Sequence, residues 1–148
     1  MFTSISHSGL YVLDQDEALE FYVGKLGLVV TSDVDMGFMR WLTVAAPGDD
    51  GRNLVLQVPE IPGNDEATVA AVRDLLTKGA AGGWFILTTD DCRGTYEDLR
   101  AKGVEFSEEP TEHFYGIDCA MRDPFGNNIR ITQPAEGEIE LPEPGRFA

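Results

Sequence analysis

Asp123-Pro124-Phe125-Gly126-Asn127, running on into Asn128-Ile129-Arg130-Ile131-Thr132, decides how the rest of the chain is read. Pro124 presets φ for the second position of a turn, and Gly126 tolerates a positive φ. Upstream, Ile117 to Met121 is apolar enough for a strand. Downstream, Ile129 and Ile131 alternate with Asn128, Arg130 and Thr132. The pattern predicts a tight hairpin whose second strand has two distinct faces.

Working outward, the N-terminal stretch Ile5 to Val12 reads as a strand with His7, Gly9 and Tyr11 on one face. Asp14 suits an N-cap, with Glu17 completing a capping box. The helix from Gln15 carries Ala18, Leu19, Phe21 and Tyr22 and ends near Gly27, a residue suited to the αL position. Leu28 to Thr31, Phe38 to Ala45 and Asn53 to Val58 read as strands. Asn64 is placed to cap a helix through Lys78, striped by Val69, Val72, Leu75 and Leu76.

The first pattern then recurs. Trp84 to Thr88 is a strand, and Asp90 or Asp91 caps a helix with Tyr96 and Leu99 inward. Lys102-Gly103 ends that helix, and Val104 to Phe106 resumes a strand. Asp14 and Asp91 lie 77 residues apart, Gly27 and Gly103 lie 76 apart, so one indel separates two copies. The expected fold is α+β: two βαβββ modules that bury their sheets together. The modules span 1–60 and 81–134, with a linker helix over 61–80 and an acidic, Pro-rich tail over 135–148, expected to be extended or mobile.

Composition narrows the function. Eleven Lys and Arg against 26 Asp and Glu leave a net charge of −15. A field of that sign repels nucleic-acid backbones and anionic lipid, and favours cationic small molecules or basic partners. No apolar run reaches membrane-span length. Cys92 and Cys119 lack zinc-type spacing, which fits buried thiols in a reduced cytoplasm.

The two βαβββ modules, the opening His7-Ser8-Gly9-Leu10-Tyr11-Val12 with Asp14 and Phe21-Tyr22, and the Asp123 hairpin resemble the vicinal-oxygen-chelate superfamily. That group contains glyoxalase I, methylmalonyl-CoA epimerase, extradiol dioxygenases, and the fosfomycin- and bleomycin-resistance proteins. The likeness covers residues 3 to 134. The resemblance implies that the curved mixed sheets of the two βαβββ modules form a cleft; in the metalloenzymes of the group a divalent metal sits there, with several strands each giving one ligand. His7 matches the first ligand position, the second falls on Val55 or Gln57, the third on Trp84 and the fourth on Arg130. An indole is no donor and a guanidinium opposes a divalent ion, so the resemblance here implies a degraded site, no metal ligands and no cofactor.

The leading expectation is therefore a metal-independent binder of a small cationic or planar molecule, similar to the bleomycin-resistance branch. His7, Tyr11, Gln57, Trp84, Asn128 and Arg130 are its candidate binding residues. Trp84 offers a stacking wall or fills the space of a lost metal. Arg130 either clamps a carboxylate or phosphate or pairs with an acidic residue of the protein. The alternative is a lyase, isomerase or dioxygenase, metal-dependent or assisted by His7 and Arg130 as the candidate catalytic groups. An accessory domain with a vestigial cleft is a third reading. The resemblance also implies a homodimer.

Overall fold

The computed structural model describes residues 1–141 and 143; the expectation of a mobile tail falls partly on residues 142 and 144–148, outside the described residues. Two four-stranded sheets carry the fold, which is α+β as the repeat implied. Strands β1 (His7–Tyr11), β2 (Val29–Asp35), β3 (Arg40–Ala45) and β4 (Asn53–Gln57) form one sheet in the order β1-β4-β3-β2. Strands β5 (Trp84–Thr88), β6 (Phe106–His113), β7 (Gly116–Arg122) and β8 (Asn128–Pro134) form the other in the order β5-β8-β7-β6. Identical strand order in both sheets is the structural trace of the duplication. The helices are α1 (Gln15–Leu19), α2 (Glu66–Thr77) and α3 (Cys92–Ala101). Contacts divide the chain into two units, residues 1–84 with 123–127 and residues 85–122 with 128 onward.

In the first unit, β1 pairs with β4 in parallel, His7 opposite Asn53 and Tyr11 opposite Gln57, while β3 runs antiparallel to both its neighbours. Leu10, Leu42, Val44 and Leu56 alternate onto one face and are buried with Ala18, Phe21 and Tyr22. Asp14 caps α1 by accepting the Glu17 N–H, as the capping box requires. The helix then differs from expectation. Past Leu19 it widens into a π-helical segment over Glu20–Lys25, with Leu26 N–H donating to Phe21 O. That widening accompanies burial of two consecutive aromatics, Phe21 and Tyr22.

Several boundaries move. Asp65, not Asn64, caps α2, accepting the Thr68 N–H, while Asn64 turns its amide back to Pro59 O. Strand β2 runs past the expected end at Thr31 to Asp35, and the reversal is closed by Met36 N–H donating to Met39 O. In the second unit Asp91 is the cap of α3. Strand β6 starts at Phe106 and runs on to His113, with Pro110 inside it. That proline is tolerated because β6 is an edge strand.

The hairpin turn is a hydrogen-bonded knot of the first unit. Asp123 Oδ1 accepts the N–H groups of Phe125, Gly126 and Asn127 at 3.0, 2.9 and 2.8 Å. Its Oδ2 accepts from Tyr22 Oη at 2.6 Å and Asn127 Nδ2 at 2.7 Å. Asn127 Nδ2 also donates to Tyr11 O at 2.7 Å. Gly126 has φ +117°, and a Cβ there would lie 2.0 Å from Leu76 O. Burial, then the neighbouring Asp123 carboxylate, push the Tyr22 phenol far above its ordinary pKa. The motif that identifies the fold is thus structural: it ties the turn to β1, the π-helical segment and the end of α2.

Candidate functional site

His7, Tyr11 and Gln57 lie on the face of the first sheet opposite Leu10, Leu42, Val44 and Leu56, and Asn128 and Arg130 on the face of the second opposite Ile129 and Ile131. On the first sheet, register places His7, Gly9 and Tyr11 on the same face as Val55, Gln57, Trp41 and Thr43. His7 is exposed, its Nδ1 2.8 Å from Ser6 Oγ and its ring tilted 48° against Trp41 at 5.7 Å. The Gln57 amide lies against Gly9, where a Cβ would come within 3.2 Å of Nε2. Tyr11 is half-buried, its hydroxyl 3.5 Å from Asn64 Nδ2. His7, Tyr11 and Gln57 therefore share one surface, with Trp41 as the aromatic beside them.

Trp84 opens β5 with 65% of its surface exposed, and Ile86 follows at 50%. Neither is core filling. On β8 the alternation holds as read: Ile129 and Ile131 are buried, while Asn128, Arg130 and Thr132 pair opposite Arg122, Ala120 and Asp118 on the other face.

Arg130 is engaged by two carboxylates that sequence reasoning did not identify. Its Nε donates to Asp118 Oδ2 at 2.9 Å and its Nη2 to Glu108 Oε2 at 2.6 Å. Ala120 explains how residues on β6 and β8 meet across β7. It pairs with Glu108 on one side and Arg130 on the other, and its methyl lets the long side chains reach over it. Tyr115 Oη adds a 2.9 Å hydrogen bond to Asp118 Oδ2. His113, stacked on Tyr115, brings Nε2 to 3.1 Å from Asp118 Oδ1, and that buried oxygen has no hydrogen-bond donor among the described residues.

The electrostatics follow from this geometry. Burial works to raise the Asp118 carboxyl, but hydrogen bonds from Arg130 and Tyr115 outweigh it and hold the group below the usual carboxylate range. The hydrogen bond to Asp118, helped by Glu108, raises the guanidinium further. Arg130 is thus a permanently charged group already balanced by the protein, which removes the basis for reading it as a ready anion clamp.

The residues do not fit a divalent metal. Among the described residues no three His, Cys, Asp or Glu side chains converge to hold an ion. Trp84 supplies no donor, and the Arg130 guanidinium occupies the Asp118 and Glu108 carboxylates that would otherwise be available. The two cysteines are also committed to structure. Cys92 and Cys119 are fully buried with their sulfurs 3.7 Å apart. Burial pushes both thiols up, Cys119 to about 12.

Known proteins are similar to this chain in sequence and in fold. Over 127 residues the chain is 36% identical to the uncharacterized protein YurT of Bacillus subtilis (strain 168), covering 85% of this chain and 95% of that one. Among solved structures, UcmS2 superposes with a TM-score of 0.83 at 39% identity, over 89% of this chain and 98% of that one. TnmS3, an antibiotic binding protein from Streptomyces sp. CB03234, superposes with a TM-score of 0.71 at 27% identity, over 90% and 98%. The family model for Glyoxalase/Bleomycin resistance protein/Dioxygenase matches residues 4–131. With the duplicated βαβββ pattern, the shared strand order and the Asp123 turn already in place, the chain belongs to the Glyoxalase/Bleomycin resistance protein/Dioxygenase superfamily.

Proposed function

We propose that this protein binds a small planar molecule, uncharged or cationic, without a metal, and works by holding it rather than converting it. The observation that carries the reading is the Asp118–Arg130–Glu108 triplet. There two carboxylates hold the Arg130 guanidinium side-on, at the position where the resemblance puts the metalloenzymes' carboxylate ligand, which supports a face with hydrogen-bonding capacity and no Lewis acid. Exposed Trp84 and Ile86 give one sheet an apolar and aromatic surface for a flat ligand, and Trp41 beside His7 gives the other sheet an aromatic surface of its own. The net charge of −15 favours cations over anions at both faces. The likeness to TnmS3 supports the same class of role.

The setting is cytoplasmic in this reading, supported by two unpaired buried thiols; no helix among the described residues is long and apolar enough to cross a membrane. The working form is a homodimer, supported by the exposed Val29, Val30 and Val34 on edge strand β2. Light scattering at micromolar concentration tests the dimer, and a monomer there rules it out. A thermal-shift screen with transition metals, planar cations, uncharged polycyclic compounds and small carboxylic acids tests the binding role. Stabilisation by planar compounds alone supports it; stabilisation by a metal alone overturns it.

A further inference from the structure

The polar triplet on β6, β7 and β8 does more than cancel charge: its geometry sets which ligand atoms the face accepts. Arg130 presents two edges. The side-on edge, Nε and Nη2, is filled by Asp118 Oδ2 and Glu108 Oε2. The remaining edge, centred on Nη1, has no bond among the described residues, and the side chain is 37% exposed. A guanidinium held from behind at two points loses little rotamer freedom when a ligand oxygen arrives at its front.

Charge decides which oxygen that is. Two carboxylates contact one guanidinium, so the triplet carries an excess of negative charge. The other groups facing it do not reverse that sign. Tyr115 spends its proton on Asp118, and His113 lies beside Asp118 Oδ1. Arg122, the nearest other cation by register, is exposed and donates to Asn128 Oδ1. An arriving carboxylate or phosphate must approach Glu108 and Asp118 as well as Arg130, against a chain of net charge −15. An uncharged carbonyl oxygen meets the same N–H donors without that repulsion.

We infer that Glu108 and Asp118 are specificity-determining residues: they fix Arg130 side-on and neutralise it, so that its Nη1 edge receives uncharged carbonyl-type oxygens and turns away carboxylates and phosphates. The inference rests on the small-molecule reading above and names the ligand chemistry at that face. Asp118 acts through Arg130 and is the anchor. Glu108, more than half exposed on an edge strand, is the replaceable partner.

Benzamide and benzoate test it, because they share a ring and differ in the charge of the oxygen they offer. The readout is the Arg130 Nε–H resonance in nitrogen-15 spectra, assigned by its loss in Arg130→Lys. In the native protein benzamide shifts this resonance saturably and benzoate does so at least about tenfold more weakly. In Glu108→Gln, with backbone spectra showing the fold intact, the benzoate-to-benzamide affinity ratio rises about tenfold. Equal binding of the two probes to the native protein, an unchanged ratio in the variant, or an Arg130 resonance blind to both probes overturns the inference. A thermal-shift hit that leaves Arg130 unmoved sinks this inference and spares the binding role. Stabilisation by a metal alone sinks the binding role and this inference with it.

Discussion

Tyr22 donates its hydroxyl to Asp123 Oδ2 at 2.6 Å, joining residues 101 positions apart in the chain. The acceptor also serves Asn127 Nδ2, and its companion oxygen serves three backbone N–H groups. Tyr22→Phe removes one buried, charge-assisted hydrogen bond and is expected to cost about 1–3 kcal/mol. Asp123→Ala removes the whole acceptor set and is expected to cost about 3–5 kcal/mol. Urea denaturation of both variants checks the order; equal losses would show that Tyr22 alone carries the knot.

Gly126 gives a sharper expectation. A Cβ at φ +117° would meet Leu76 O at 2.0 Å, so backbone strain and a main-chain clash act together. Gly126→Ala is expected to lose about 2–5 kcal/mol, whereas Gly24→Ala, with open space at its Cβ, stays within about 1 kcal/mol of the parent. Comparing their denaturant midpoints isolates the contact from the general effect of adding a methyl group. A harmless Gly126→Ala would mean that the turn can lift away from α2.

The difference between the knot and the Arg130 triplet also marks what a sequence shows. Asp123, Gly126 and Asn127 act over four residues, and turn chemistry of that range is readable from residue order. Arg130's face was legible too, since Ile129 and Ile131 fix the alternation. Its partners were not. Glu108 reaches it only through a register interrupted on both sides, between Phe106 and Glu108 and again between Glu108 and Thr111. Without that register Ala120 is merely a small strand residue, and Asp118 is one acid among many. The π-helical widening after Leu19 was hidden for a similar reason, because Phe21 and Tyr22 satisfy an ordinary helical stripe equally well. At the cap of α2, Asn64 and Asp65 are both good cappers, and tertiary contact with Pro59 O decided between them.

Asp118 makes stability depend on acid in a defined window. Its folded carboxyl is held below the ordinary value near 3.8, so the unfolded chain takes up a proton first as pH falls. The stabilisation is fully present above about pH 4 and disappears as pH drops through the lower folded value. Urea midpoints of the native protein should therefore fall more steeply as pH drops below about 4 than those of Asp118→Asn. Parallel slopes would mean that other carboxylates account for the acid limb.

Cys92 and Cys119 should be chemically silent in the folded protein. Both are fully buried, and burial raises Cys119 to about 12, so its thiolate fraction at pH 8 is roughly one part in ten thousand. Iodoacetamide at that pH should leave the native protein unlabelled and add two groups once urea unfolds it. Labelling in dilute urea should then track the unfolded population rather than reagent concentration alone. Tyr22→Phe, by lowering stability, should speed labelling in proportion to its loss of free energy, provided that the second unit opens together with the first. If the thiols of Tyr22→Phe label no faster than those of the parent while its urea midpoint has dropped, the two units unfold separately, and the knot at Asp123 guards only its own.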